Sequence, residues 1–291
     1  MALAVVALSF ASIFITKLET LGIPPLVIAF YRMSIATGLL LPAALAFKLS
    51  EIKSLARNQL GLLVLGGFCL AVHFGAWVTS LKYVPIATSL VLVNSHPIFV
   101  VIASYFFLGE RPGRRTLIGT AVGLGGIAVI SRDALIGVQF VLKGDALALL
   151  GALAVVGYFI IGRKARTRIS LLGYVTPVYA VCSLFLLIWL LIVENRLVPY
   201  SASVWGYLAA LAIVPTVTGH TLFNWAIKHV RPTAISVAFL GEPIVASLLA
   251  LIFFAQHPPL ATFVGGAFIL AGVYLTTSAN KLDESLRAQV E

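Results

Sequence analysis

The chain has 291 residues, 60% of them hydrophobic and only 10% charged, with 20 basic against 10 acidic side chains and a mean hydropathy of +1.06. A soluble domain carries about 25% charged residues, so this deficit excludes a water-soluble globular fold and makes lipid the main solvent. The net charge of +10 does not indicate nucleic acid, because the basic residues sit in short clusters between apolar runs rather than on a tail or a soluble face.

Apolar runs at 1–16, 25–47, 59–81, 85–108, 115–131, 144–162, 170–193, 203–227, 232–255 and 259–279 predict ten transmembrane helices with short loops. The first run is short against the ~20 residues a bilayer needs, which fits a chain trimmed at its start. It lacks a basic leader region and a small-residue cleavage site, so it reads as a span. The second run carries Arg32 after Phe30-Tyr31. Arginine keeps its charge, so it needs water or an anionic partner, either a substrate carboxylate or a helix end. In the third, His73 and Trp77 are four apart and share a face. The fourth holds Asn94 and His96-Pro97. The fifth has a small-residue face at Gly119, Gly123 and Gly126, which predicts close helix packing and permits a monomer or a homodimer. Tyr158 in the sixth run either lines a cavity or packs. In the eighth, His220 and Asn224 are again four apart, beside Trp225. The ninth holds Glu242-Pro243, and the tenth repeats the glycines at Gly265, Gly266 and Gly272. The charged segment after Asn280 is expected to be a frayed tail.

Cys69 and Cys182 lie apart inside apolar runs, which predicts neither a disulfide framework nor a metal site. The sequence holds no H-E-x-x-H, no P-loop lysine and no G-x-S-x-G, so no metal, cofactor or catalytic residue is expected. Alternate loops gather Lys48, Lys53, Arg57, Arg111, Arg114, Arg115, Arg163, Lys164, Arg166, Arg168, Lys228 and Arg231, with Lys281 and Arg287 in the tail. The positive-inside rule then puts both termini in the cytoplasm, at the inner (plasma) membrane, and requires an even number of spans.

The chain also repeats. Shifted by 146, residues 82–126 overlie 228–272 without a gap: Lys82 on Lys228, Pro97-Ile98 on Pro243-Ile244, Pro112 on Pro258, Gly119 on Gly265, and Gly126 on Gly272. The glycines and prolines carry the weight, since they mark backbone features. Each half has five spans, an odd number, so the second half must sit inverted. The expected domains are residues 1–136, residues 137–280 and a cytoplasmic tail 281–291. Inverted five-helix repeats place substrate sites near the midplane, between the repeats. Under the shift His96 is the partner of Glu242, and each precedes a proline. Pro97 and Pro243 release the carbonyls of Val93 and Phe239, four residues upstream. Bare acceptors and a carboxylate at membrane depth are tolerated only inside protein or beside water. The two steps are therefore expected to face one central cavity, lined also by Arg32, His73, Trp77, Asn94, Tyr158, His220 and Asn224.

Several stretches resemble the ten-span EamA-type permeases of the drug/metabolite transporter superfamily: "PPLVIAFYRMSIA" (24–36), "HFGAWVTSLKYVPIATSLVLVNSHPIFVVIASYFFLGERP" (73–112), "FLGEPIVASLLALIF" (239–253), and the glycine-spaced "IGTAVGLGGIAVI" (118–130) and "VGGAFILAGVYL" (264–275). The resemblance implies a pseudo-symmetric basket with a cavity lined by the first four helices of each half, the fifth and tenth being peripheral. Glu242-Pro243 matches the Glu-Pro common in the family's ninth helix. Glu110 matches the Glu after the fourth, whereas its ninth-helix counterpart is Gln256, which puts in doubt any role requiring both. The expected function is a secondary transporter exporting small amphipathic metabolites by alternating access: amino acids, aromatic ones among them, or drug-like solutes. The partners are that solute and membrane lipid, with Glu242 and His96 placed for proton coupling. A lipid or polyprenyl-phosphate flippase would want more cations at cavity depth than Arg32. An intramembrane enzyme on lipid precursors would want clustered carboxylates.

Overall fold

The computed structural model describes residues 1–80, 82–84, 86–130, 132, 141–193, 199–255 and 257–288. The expected boundary near residue 136, and Gln256, lie outside the described residues. Every regular element among those described is helical: α1 (Ala2–Thr20), α2 (Pro25–Lys53), α3 (Arg57–Ser80), α4 (Ile86–Val93), α5 (His96–Leu108), α6 (Arg114–Ile130), α7 (Leu142–Arg166), α8 (Leu171–Val193), α9 (Ala202–Leu211), a π-helical segment (Ala212–His220), α10 (Thr221–Ala226), α11 (Pro232–Phe239), α12 (Glu242–Phe254) and α13 (Leu260–Ala288). Among the described residues nine helical stretches are long and apolar enough to cross a membrane. The fifth predicted run is α6, whose 17 described residues fall just short of that length. The chain is a multi-pass membrane protein. Phe106 and Ile192, 73% and 76% exposed, belong to the broad apolar exterior that acyl chains cover.

Two expectations change. The first helix runs on through Lys17 and Glu19 to Thr20, so the span is longer than its apolar run. The segment after Asn280 is not frayed: α13 continues to Ala288, because Lys, Leu, Glu, Arg and Ala are good helix formers and no glycine or proline interrupts them.

Proline sets the interior breaks. The fourth predicted span divides into α4 and α5, and the ninth into α11 and α12, at the His96-Pro97 and Glu242-Pro243 steps. Shifting α4 and α5 by 146 residues reproduces the ends of α11 and α12. Both second pieces end on a left-handed residue, Gly109 (φ 67°) and Ala255 (φ 54°). Glycine takes that conformation freely, whereas Ala255 holds it against its Cβ. The eighth span contains the π segment. Pro215 has no N–H for the Leu211 carbonyl, and the Thr216 hydroxyl donates to it instead at 3.2 Å. The hydroxyls of Thr218 and Thr221 likewise donate five residues back, to Ile213 and Thr216.

The main core joins α1, α2, α3, α7, α8 and α9, with the buried Tyr174, Tyr179, Met33 and Leu70 among its largest side chains. α2 packs on α8, and α6 on α13; α3 packs on α7 as the π segment does on α1; α5 packs on α7 as α12 does on α1. These pairs exchange under the 146-residue shift. α6 and α13 run antiparallel with their backbones in contact. A Cβ on Gly126 would stand 2.5 Å from the Gly265 carbonyl, and one on Gly272 would stand 2.5 Å from that of Gly119. The small-residue face read from the sequence is therefore occupied within the chain.

Candidate functional site

The breaks set two polar residues at the start of short helices. His96 opens α5 and is buried; its Nδ1 lies 3.0 Å from the Val93 carbonyl, the acceptor that Pro97 released. A carbonyl only accepts, so Nδ1 carries the hydrogen of that bond. Nε2 is buried and makes no hydrogen bond among the described residues. Glu242 opens α12 and is half-buried. Its backbone carbonyl accepts from Ser9 Oγ at 3.2 Å, which ties the break to α1.

Arg32 is buried in α2. Its Nε donates to Thr216 Oγ1 at 2.6 Å, and its guanidinium lies 4.7 Å from the centre of the Phe74 ring. Thr216 thus passes its own hydrogen to Leu211 and accepts from Arg32, so the π segment holds the guanidinium in place. Rings fill the space between these polar groups. His220 packs edge-on to Phe74 at 5.8 Å and to Phe239 at 6.4 Å, and Phe239 contacts the His96 ring at 6.1 Å and Phe159 at 5.4 Å. Phe223 stacks on Phe239 at 4.1 Å. The arrangement sets one fixed cation and two imidazoles against aromatic rings.

The expected residues separate into two groups. Arg32, His96 and His220 touch the rings of Phe74 or Phe239, and Glu242 follows Phe239 by three residues at the start of α12. His73 joins them through its ring contact with Phe74 at 5.1 Å, but its Nδ1 is used on the Gly151 carbonyl at 2.9 Å, so it also fastens α3 to α7. Trp77 stacks beside His73 at 6.1 Å, against Gly151, with its Nε1 buried. Asn224 and Tyr158 are used on each other: Asn224 Nδ2 donates to the Tyr158 hydroxyl at 2.6 Å and to the His220 carbonyl at 2.7 Å, and both residues are buried. Asn94 lies half-buried in the break between α4 and α5. Pro97 is buried and Pro243 half-buried, each one residue into its helix. Phe74, Phe159, Phe239 and Thr216 were not anticipated. A phenylalanine carries no sign of function in so apolar a chain, although three of these four neighbour a polar residue already singled out or lie just before the Glu-Pro step. Among the described residues no cluster of three metal-binding side chains occurs.

Residues 1–132 and 142–278 match the model of the EamA-like transporter family. An uncharacterized transporter of Archaeoglobus fulgidus is 25% identical over 80% of this chain and 81% of its own. A pseudopaline exporter of Pseudomonas aeruginosa is 23% identical over 92% of this chain and 91% of its own. A probable terminal-alkyne amino-acid exporter of Streptantibioticus cattleyicolor is 27% identical over 66% of this chain and 64% of its own. A solved crystal structure shares the fold with a TM-score of 0.82 at 20% identity, over 97% of this chain and 96% of the other.

Proposed function

The chain belongs to the EamA-like transporter family, a transporter rather than an enzyme, and from that premise we propose that it exports small amphipathic metabolites, amino acids foremost, by alternating access. Two five-helix units of opposite sidedness enclose the site, one spanning α1–α6 and the other α7–α13. Supporting this are the matched ends of the broken helices, the exchange of helix contacts under the same shift, and the antiparallel crossing of α6 and α13. The observation that carries the functional reading is the buried Arg32, held by Thr216 against Phe74, at one end of a chain of ring contacts that runs through His220 and Phe239 to His96. An amino acid sets its carboxylate on Arg32, its ammonium on Glu242 and its side chain on Phe74 and Phe239. Glu242 and His96 take up and release the coupling proton. The exporters among the relatives, of an amino acid and of pseudopaline, agree with solutes of this kind.

A thermal-shift screen of the purified chain against amino acids and amphipathic drug-like solutes tests this, with flux in proteoliposomes for each hit. A solute at a hundredfold excess over its Kd stabilises by about 2.7 kcal/mol, so a zwitterionic solute is expected to raise Tm and to show saturable flux. Scrambling of fluorescent phospholipid with no stabilising solute would replace the exporter reading with the flippase one.

A further inference from the structure

An opening lies at the basic end of the bundle, and none of the residues named in the site above lines it. It is a groove of about 680 Å³ between the start of α3, the end of α5 and the end of α7. Arg163, Lys164, Arg168 and Arg231 line it, with the amides of Asn58 and Gln59. Arg163 braces the wall: its Nη1 donates to the carbonyls of Ile227 at 2.8 Å and Lys228 at 2.6 Å, and its Nε lies 4.0 Å from Glu110. Lys164 and Arg168 are exposed.

Apolar side chains share the groove with these cations. Leu62 and Leu108 form part of its lining. Lys164 Nζ lies 5.8 Å from the centre of the Phe107 ring, and Phe107 is 64% exposed on the surface that acyl chains cover. A ligand seated here therefore meets cations and amide donors at the level of the helix ends and hydrocarbon beside them. That is the chemistry of a phospholipid at the interface: an anionic phosphate above, a glycerol and acyl chains below. Basic pockets between helix ends on the positively charged side of a membrane protein suit such headgroups.

We propose that this groove is a binding site for the headgroup of an anionic phospholipid, held by Lys164 and Arg168 against the wall that Arg163 braces. The site needs only a multi-pass membrane protein and is independent of the solute carried. Occupied, it ties the ends of α3, α5 and α7 together through one lipid.

The test uses the full chain in nanodiscs of equal parts phosphatidylglycerol and phosphatidylcholine, with retained lipid measured by native mass spectrometry. Wild type is expected to retain phosphatidylglycerol preferentially, on the order of tenfold given two interfacial cations. The Lys164→Gln/Arg168→Gln double variant is expected to show almost no preference, and each single variant an intermediate one. Lys143→Gln, at the other end of α7, is expected to keep the wild-type preference. Equal retention of the two lipids by wild type, or an undiminished preference in the double variant, overturns the proposal. So does a groove that takes soluble anion instead: inorganic phosphate raising Tm in pure phosphatidylcholine nanodiscs, lost in the double variant, with no lipid preference in the mixed discs.

Discussion

Glu242→Gln is expected to lower substrate flux in proteoliposomes by at least thirtyfold and to flatten what remains against pH. The size follows from the role. Removing one partner of a buried charge pair costs roughly 2 kcal/mol or more, which is about thirtyfold in binding or rate. Glutamine keeps the shape of the side chain but cannot ionise, so it holds neither the substrate ammonium nor the coupling proton. The variant is expected to fold, because no hydrogen bond or ion pair to this carboxyl occurs among the described residues, whose one bond to Glu242 outside its own helix goes to the backbone carbonyl. Tm and yield should therefore match wild type while flux falls. Glu242→Asp, which keeps the charge on a shorter stem, is expected to retain part of the flux and its pH dependence. Full transport by Glu242→Gln with an unchanged pH profile would remove Glu242 from the mechanism.

The second large effect is structural. Gly265→Val and Gly126→Val are expected to abolish the yield of folded protein. A Cβ on Gly265 would lie 2.5 Å from the Gly126 carbonyl and 2.6 Å from Ile130 Cγ1. Backbone cannot retreat as a side-chain end can, so α6 and α13 would have to separate. Overpacking of a tight contact costs about 1–3 kcal/mol, and a clash of backbone on backbone exceeds that range. The control is the neighbouring Gly125, where an added Cβ meets nothing within 4 Å. Gly125→Ala is expected to leave Tm unchanged or slightly raised, because alanine favours the helix. Folded, fully stable Gly265→Val protein would mean that α6 and α13 do not cross at their glycines.

Much of this was legible in the sequence because membrane and backbone constraints leave marks there. Runs of apolar residues give the spans, and Pro97 and Pro243 give the breaks, since an imino acid cannot supply the missing donor. The repeat could be read from aligned prolines and glycines, and it paired His96 with Glu242 before any contact was known. Pairings between distant segments could not be read in this way. Nothing in the sequence joins Asn224 to Tyr158, which spend their polar atoms on each other, and nothing sets Phe239 against His96. The glycine face showed that something packs closely but not that its partner is the matching face in the other half. The π segment left a trace in Pro215 followed by threonines. Its consequence, a hydroxyl of Thr216 that fixes Arg32, depends on how α2 packs.

The central claim is that Glu242 and His220 face a water-reached interior between the two halves rather than the lipid. Substituted-cysteine labelling in native membranes tests it most directly, with Glu242→Cys, His220→Cys and, as a lipid-facing control, Ile252→Cys, which lies on the exterior at 73% exposure. Cys69 and Cys182 sit half-buried and buried in the core, so they contribute little background. The expected result is that a charged, membrane-impermeant thiol reagent modifies positions 242 and 220, that the transported solute slows both reactions, and that position 252 reacts only with a lipid-soluble reagent. Positions 242 and 220 behaving like 252 would contradict it.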